Sequence, residues 1–147
     1  MRVLIRVRYG ECDAQGVLFN ARYMDLVDVA FTEFERVVWG GHAVLLDAGL
    51  DTQVVSMKID WTAPARFDDV LDLELSVDRI GRTSMTLRAE FRQFGDDSSL
   101  ATALVTYVLI HSAEGGKTPI PSWLRQALDR GAHDVCIDLA GTESDVA

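Results

Sequence analysis

One long amphipathic pattern, residues 20–39, constrains the fold most because it is the only helical period of that length in the chain. Apolar residues recur there at intervals of three and four, with polar residues opposite. Asn20 is the predicted N-cap, and Gly40 with Gly41 ends the helix after about 18 residues. Its apolar stripe is wider than that of an ordinary surface helix. We therefore expect other elements to cover much of its circumference.

Period-two alternation dominates the rest of the sequence and predicts about five long antiparallel strands. The strand patterns are residues 3–9, 55–61, 71–77, 85–91 and 100–110. The last is apolar on both parities, which predicts an interior strand covered on both faces. One helix covers only one face of a sheet, so the fold class is α+β, with a curved sheet wrapped around the helix. The outer face then needs a second subunit, which predicts a homodimer or homotetramer.

The helical and strand patterns together determine the bounds of the predicted domain. At 147 residues the chain is long enough for one core, and we assign the domain to residues 1–131. A loop is expected from Gly41 through Gly49. A short amphipathic segment with Trp123, Leu124, Ala127 and Leu128 follows Pro119 and Pro121. Residues 132–147 show no clear pattern, and disorder is expected for the last few.

Charge and hydropathy exclude several classes of partner. The formal net charge of −9 disfavours nucleic acid, and an anionic ligand would need a local basic patch. The longest apolar run is too short to span a membrane, and the N-terminus lacks a signal-peptide pattern, so a cytoplasmic location is expected. Cys12 and Cys136 have no metal-binding spacing and are expected to be free thiols.

Asp13 lies in a short polar loop directly before the helix, and a turn at Gly16 would fold its carboxylate back toward the start of that helix. Bared N–H groups and the positive dipole end favour negative charge at such a position. The alternative is a turn residue whose side chain bonds the local backbone. Glu11 is interpreted as a solvated loop charge, and Cys12 as a small half-buried residue.

The chain resembles the hotdog-fold acyl-CoA thioesterases of the 4-hydroxybenzoyl-CoA thioesterase type over roughly residues 2–130. The segments that match are "GECDAQGVLFNARYMDLVDVAF", "IDWTAPARFDD", "IGRTSMTL" and "KTPIPSWLRQAL". The most specific pattern consists of Asp13, Gly16, Asn20 and Tyr23. The resemblance implies hydrolysis of an acyl-CoA thioester without metal or separate cofactor, coenzyme A being part of the substrate. It also implies strand pairing across a dimer, active sites at the subunit interface and frequent tetramers.

By this resemblance Asp13 matches the catalytic carboxylate, either as nucleophile or as general base, and the backbone N–H of Asn20 matches the donor to the thioester carbonyl. Gly16 would permit close approach of the backbone to the acyl group. Many relatives have histidine directly after this glycine or at the Asn20 position, and here those positions hold Val17 and Asn20. That departure places the chemistry on Asp13. A non-catalytic acyl-CoA-binding module is the alternative.

The remaining candidates would bind substrate. Tyr23 belongs to the motif, and Trp61 would line the acyl pocket, with a plain core position as the alternative. Arg66, Arg82, Thr83 and Ser84 are candidates for the coenzyme A phosphates, the last three on one turn; ordinary surface positions are the alternative. The acyl group, and the choice between coenzyme A and a carrier protein, stay open.

Overall fold

The computed structural model describes residues 1–96 and 98–142, and over them the chain forms one six-stranded sheet and three helices. The strands are β1 (Arg2–Arg6), β2 (Leu50–Trp61), β3 (Val70–Ile80), β4 (Ser84–Gln93), β5 (Ser99–His111) and β6 (Cys136–Asp138). The helices are α1 (Arg22–Trp39), α2 (His42–Asp47) and α3 (Ser122–Arg130), with one 3₁₀ turn at Tyr9–Glu11. The predicted α+β class is confirmed.

The strand order in the sheet is β2-β5-β4-β3-β1-β6. Every pair is antiparallel except β1 and β6, which run parallel. The interior position predicted for β5 is confirmed because it pairs with β2 on one side and β4 on the other. The sixth strand has only three residues, too few for a period-two pattern to appear in the sequence.

Helix α1 has the predicted length of 18 residues, and its apolar face lies in the core. Gly40 ends it with a φ of 96°, a left-handed conformation that glycine adopts without strain. The predicted N-cap is wrong: Ala21 occupies the N-cap position without a side-chain hydrogen bond, and Asn20 lies in the preceding turn. The N–H of Arg22 bonds the carbonyl of Phe19 at 2.8 Å, a tight three-residue spacing that delays the regular helix.

Of two predicted segments, a loop after α1 and a short amphipathic segment near the C-terminal end, only the second is confirmed. The loop expected between Gly41 and Gly49 instead contains α2, whose Leu45 is fully buried. Helix α3 confirms the amphipathic segment, with Leu124, Ala127 and Leu128 buried. None of the helices in the described part of the chain is long and apolar enough to cross a membrane.

The tail predicted after residue 131 supplies β6, which extends the main sheet beside β1. The domain boundary at residue 131 stays a prediction. Expected disorder at the C-terminal end concerns residues 143–147, which lie outside the described residues.

The sheet separates an apolar inner face from a polar outer face. Inward side chains of β3, β4 and β5 are buried, including Leu73, Ala89 and Ala103. Ion pairs cross the outer face, such as that between Arg92 and Glu74 at 3.1 Å. Outward side chains of β5 from Thr102 to Thr106 are half-buried, so this chain alone covers its outer face only in part. Coverage by a second subunit stays a prediction.

Candidate active site

Residues 12–18, hereafter the Asp13 loop, fold into a small hairpin ahead of α1. Cys12 and Leu18 form a β-bridge, and the N–H of Asp13 bonds the carbonyl of Val17 at 2.9 Å. The N–H of Gly16 returns to the carbonyl of Asp13 at 3.0 Å. Gly16 has a φ of 73°, a conformation that disfavours residues with a Cβ. This turn brings Asp13 back toward the start of the helix, as predicted.

Backbone bonds fix the loop to its surroundings. The N–H of Leu18 donates to Ala65 at 2.8 Å, and that of Phe19 donates to Glu11 at 2.9 Å. The interpretation of Glu11 as a solvated charge is wrong. Its carboxylate is buried and accepts the N–H of Arg8 at 2.8 Å as well as the Arg8 guanidinium. Glu11 therefore anchors the segment that leads into the helix.

Asp13 and Asn20 line the same cavity of about 370 Å³. This volume lies at the lower end of the range of about 300–1,000 Å³ that small-molecule sites span. The other lining residues come from the loop, the helix start and the end of β2: Val17, Leu18, Phe19, Tyr23, Trp61, Thr62, Ala63 and Pro64. The cavity can accept an acyl group but not a whole coenzyme A ester.

The half-buried Asp13 carboxylate has a different environment at each oxygen. Oδ1 accepts the backbone N–H of Gln15 at 2.8 Å. This bond confirms the alternative that Asp13 is a turn residue whose side chain bonds the local backbone. Oδ2 has no hydrogen-bond partner among the described residues. One oxygen can therefore hold the turn while the other is available to a ligand.

The backbone N–H of Asn20 has no acceptor within the described part of the chain. It lies just before α1, where the helix dipole is positive. At Gly16, an added Cβ would meet nothing within 4 Å. The glycine is thus required by its backbone conformation and not by contact with neighbouring protein atoms.

Two aromatic side chains at positions predicted from the sequence form one wall of the cavity. Tyr23 is buried, and its ring meets that of Trp61 edge to face with centroids 6.1 Å apart. Burial raises the pKa of Tyr23, which keeps the hydroxyl protonated. Trp61 is 50% exposed and lines the cavity, so the core alternative is wrong, and its contact with an acyl group stays a prediction. Phe19, 47% exposed, also lines the cavity and was not identified from the sequence.

Comparison with known proteins identifies the family. A family model described as the Thioesterase-like superfamily matches residues 7–128. The chain belongs to this superfamily. It is 31% identical over 81 residues to the acyl-CoA thioester hydrolase YbgC of Escherichia coli, an alignment that covers 55% of this chain and 60% of YbgC. It is 24% identical over 130 residues to a 1,4-dihydroxy-2-naphthoyl-CoA hydrolase of Synechococcus elongatus, covering 83% of this chain and 90% of that protein.

Solved structures of thioesterases share the fold. A thioesterase superfamily protein from Jannaschia sp. aligns with a TM-score of 0.82 at 22% identity, covering 89% of this chain and 92% of that one. A 1,4-dihydroxy-2-naphthoyl-CoA thioesterase from Synechocystis aligns with a TM-score of 0.78 at 21% identity, covering 87% and 94%. The predicted hotdog fold is confirmed.

The four residues proposed for phosphate binding in this thioesterase-like chain lie in two places. Arg66 is exposed and forms a β-bridge with Val17, which lines the cavity. Arg82, Thr83 and Ser84 lie at the far end of β5: Ser84 pairs with Val108, whereas Trp61 pairs with Ala101. Those seven residues of strand span roughly 23 Å at about 3.3 Å each. Within one chain only Arg66 pairs with a residue that lines the cavity, and the substrate role of all four residues stays a prediction.

Other side chains with chemical potential are less suited to a role in this site. Burial, and then the charges of Asp13 and Glu11, raise the pKa of the Cys12 thiol and disfavour the reactive thiolate. No histidine lines the cavity, and His42 instead bonds Glu35 at 3.4 Å. Among the described residues, no cluster of three or more histidine, cysteine, aspartate or glutamate side chains is placed to hold a metal ion.

Proposed function

We propose that this protein hydrolyses an acyl-coenzyme A thioester to the free acid and coenzyme A. The observation that supports the proposal most is that a carboxylate with a free oxygen, Asp13, and a bare helix-start amide, Asn20, line one cavity. Membership of the Thioesterase-like superfamily and the names of its relatives support the same activity.

In the proposed reaction the thioester carbonyl oxygen accepts the N–H of Asn20. That bond and the helix dipole stabilise the negative charge that develops on the oxygen. A donor of this kind lowers a barrier by about 2.7–4 kcal/mol. The Phe19, Tyr23 and Trp61 rings provide an apolar surface for the acyl group.

Asp13 can act in two ways. As nucleophile, Oδ2 attacks the carbonyl carbon and the C–S bond breaks, which leaves an acyl–aspartyl anhydride. Coenzyme A leaves as a thiolate and takes up a proton. Water then hydrolyses the anhydride. As general base, Asp13 accepts a proton from the water that attacks the same carbon, a contribution of about 10²–10⁴ in rate. The C–S bond then breaks, and coenzyme A leaves as a thiolate that takes up the proton. Both routes need an ionised, accessible carboxylate oxygen.

We also propose that the protein assembles as a homodimer through β2, with a homotetramer as the higher assembly. Among the described strands, this 12-residue edge strand pairs only with β5. Val54 and Val55 on it are 49% and 57% exposed. A long edge strand with exposed apolar side chains is normally covered in a stable protein. Lysine at both positions should lower the native mass toward that of one chain in sedimentation or light scattering; an unchanged mass would exclude this interface.

A non-catalytic acyl-CoA-binding module is the second candidate. The observation that favours it is the Asx bond from Gln15 to Asp13, which gives the carboxylate a structural role of its own. Release of free thiol from a panel of acyl-CoA esters separates the two functions, since a binding module releases none from any member.

The substitution Asp13→Asn tests the catalytic proposal. The amide oxygen of the substituted side chain can still accept the Gln15 N–H, so the loop should keep its fold, while turnover should fall by at least about 10². Binding of a nonhydrolysable acyl-CoA analogue should persist. Asp60→Asn is the matched control because Asp60 is exposed, adjoins Trp61 and pairs with Lys58 at 2.9 Å. Wild-type turnover in Asp13→Asn would contradict the assignment.

A further inference from the structure

An exposed pair of aromatic rings lies beside the Asp13 loop, outside the cavity. Tyr9 is 84% exposed and Phe67 is 53% exposed. Their rings meet edge to face with centroids 6.0 Å apart and planes at 89°. Single exposed hydrophobic residues are ordinary, but two touching rings this exposed offer flat surfaces for stacking. We call Tyr9 and Phe67 the aromatic platform.

Backbone contacts join the platform to the cavity wall. The N–H of Phe67 faces the carbonyl of Gly16 at 3.5 Å, and its neighbour Arg66 bridges to Val17. On the other side, the N–H of Cys12 bonds the carbonyl of Tyr9 at 3.3 Å. The residue that carries each ring is therefore attached by a backbone hydrogen bond to the loop that holds Asp13. A ligand in the cavity can extend over the aromatic platform.

Arg66 supplies an uncommitted positive charge at this position. Its guanidinium has no acceptor among the described residues. Two carboxylates of the neighbouring segments are engaged with other arginines: Glu11 with Arg8, and Asp68 with Arg6 at 3.2 Å. Asp69 accepts the backbone N–H of Arg66 at 2.7 Å, which orients the residue without using its side chain.

The size of the cavity determines what must lie outside it. At about 370 Å³ it holds an acyl group, so the nucleotide end of a coenzyme A ester has to lie on the surface. An adenine ring stacks on aromatic faces, and a guanidinium pairs with phosphate. Within one chain, the Arg82 turn is at the opposite end of β5 from this cavity.

We propose that Tyr9, Phe67 and Arg66 bind the adenosine-phosphate end of coenzyme A, so that the substrate is a free coenzyme A ester and not a carrier-protein thioester. This inference rests on the proposed thioesterase function. It predicts that the platform contributes to recognition of the nucleotide and not to the chemical step, because neither ring lines the cavity with Asp13.

The experiment compares three thioesters of the same acid: the acyl-CoA, the acyl-pantetheine without a nucleotide, and the acyl-carrier-protein without an adenine. Tyr9→Ala and Phe67→Ala should each raise KM for the acyl-CoA between about 5-fold and 100-fold, the range of one base–aromatic stack. Arg66→Gln should raise it about tenfold. On acyl-pantetheine the three variants should match the wild type, and the wild type should prefer acyl-CoA over the carrier-protein thioester.

Matched controls are Phe94→Ala and Arg130→Gln, an exposed ring and an exposed arginine away from the cavity lining. Both should leave KM unchanged. Equal losses on acyl-CoA and acyl-pantetheine would overturn the proposal in favour of structural support of the loop. An unchanged KM for acyl-CoA, or a lower native mass in the platform variants, which marks a subunit contact, would also overturn it.

Direct binding separates this inference from the proposed function. Adenosine 3′,5′-bisphosphate is titrated into wild type, Tyr9→Ala and Phe67→Ala by calorimetry, with no thioester present. The Kd should rise in both variants over the same range of about 5-fold to 100-fold. Absence of thioester hydrolysis with intact, platform-dependent binding would reject the hydrolase alone, whereas absence of nucleotide binding would reject the platform.

Discussion

The phenol oxygen of Tyr23 accepts a hydrogen bond from the backbone N–H of Ala65 at 3.4 Å, and both residues are buried. This bond joins helix α1 to the segment that follows β2. That segment contains Ala63 and Pro64, which line the cavity opposite the helix start. The position of the helix amide is thereby coupled to the position of the cavity wall.

Tyr23→Phe should destabilise the protein because it removes the only acceptor of this buried N–H among the described residues. An unsatisfied buried donor costs about 1–3 kcal/mol. The ring contacts with Trp61 and Phe91 persist in phenylalanine. Urea unfolding measures the loss, and a change below about 0.5 kcal/mol would mean that the long bond adds little net stability.

Tyr107→Phe should have the opposite outcome. The Tyr107 hydroxyl is buried with no hydrogen-bond partner among the described residues, and burial raises its pKa. Removing it relieves a desolvation cost, while the ring keeps its stack on Phe31 at 4.1 Å. Stability should stay unchanged or rise by about 1 kcal/mol in the same unfolding measurement. A loss of that size would show that the assembled protein supplies an acceptor to the hydroxyl.

The parts of the fold predictable from sequence are those set by periodicity or by short separation along the chain. Helix α1 and the strands from β2 to β5 are predictable from the spacing of apolar residues. The proximity of Asp13 to Asn20 is predictable because only seven positions separate them in one loop. Pairing across the sheet is different. The turn at Arg82 looked suitable for phosphate by its composition, yet the register of β5 places it far from Trp61. The distance between two such residues depends on how the strands pair, and the local pattern of apolar residues does not specify that pairing.

The short elements and the aromatic platform were missed for related reasons. Helix α2 and strand β6 have six and three residues, too few to show a period. Tyr9 and Phe67 are 58 positions apart in sequence, and only the tertiary fold brings them together. The burial of Glu11 is not predictable from its loop position, because the sequence does not show that Arg8 folds back over it.

Glu35 should make the stability of the protein depend on pH. It is buried, and burial raises its pKa above the usual 4.5, opposed by its bond to His42. A raised folded-state pKa means that the folded protein binds the proton more tightly than the unfolded chain. Its contribution to stability is therefore complete below pH 4.5 and is lost as pH rises through the folded-state pKa.

Glu35→Gln removes this titration. The free energy of unfolding of the variant relative to wild type should increase with pH across that window, by up to about 1.4 kcal/mol per pH unit. His42→Gln serves as the second variant. His42 lowers the pKa of Glu35, so its removal should raise that pKa further. The loss of stability with rising pH should then extend to higher pH. Parallel pH profiles of wild type and Glu35→Gln would show that the folded and unfolded states bind this proton equally.

Gly16 offers a test that separates backbone conformation from approach of the substrate. Its φ of 73° strains alanine by about 1–2 kcal/mol, whereas asparagine tolerates the left-handed conformation better. Neither side chain meets protein atoms at its Cβ, since nothing lies within 4 Å. Gly16→Asn should therefore keep most of the stability that Gly16→Ala loses. If the acyl group passes close to this backbone, as the family resemblance implies, both variants should lower kcat/KM for acyl-CoA. Wild-type kcat/KM in Gly16→Asn would limit the glycine to its conformational role, because an acyl group packed against the face of Gly16 that gains the Cβ would collide with the added side chain.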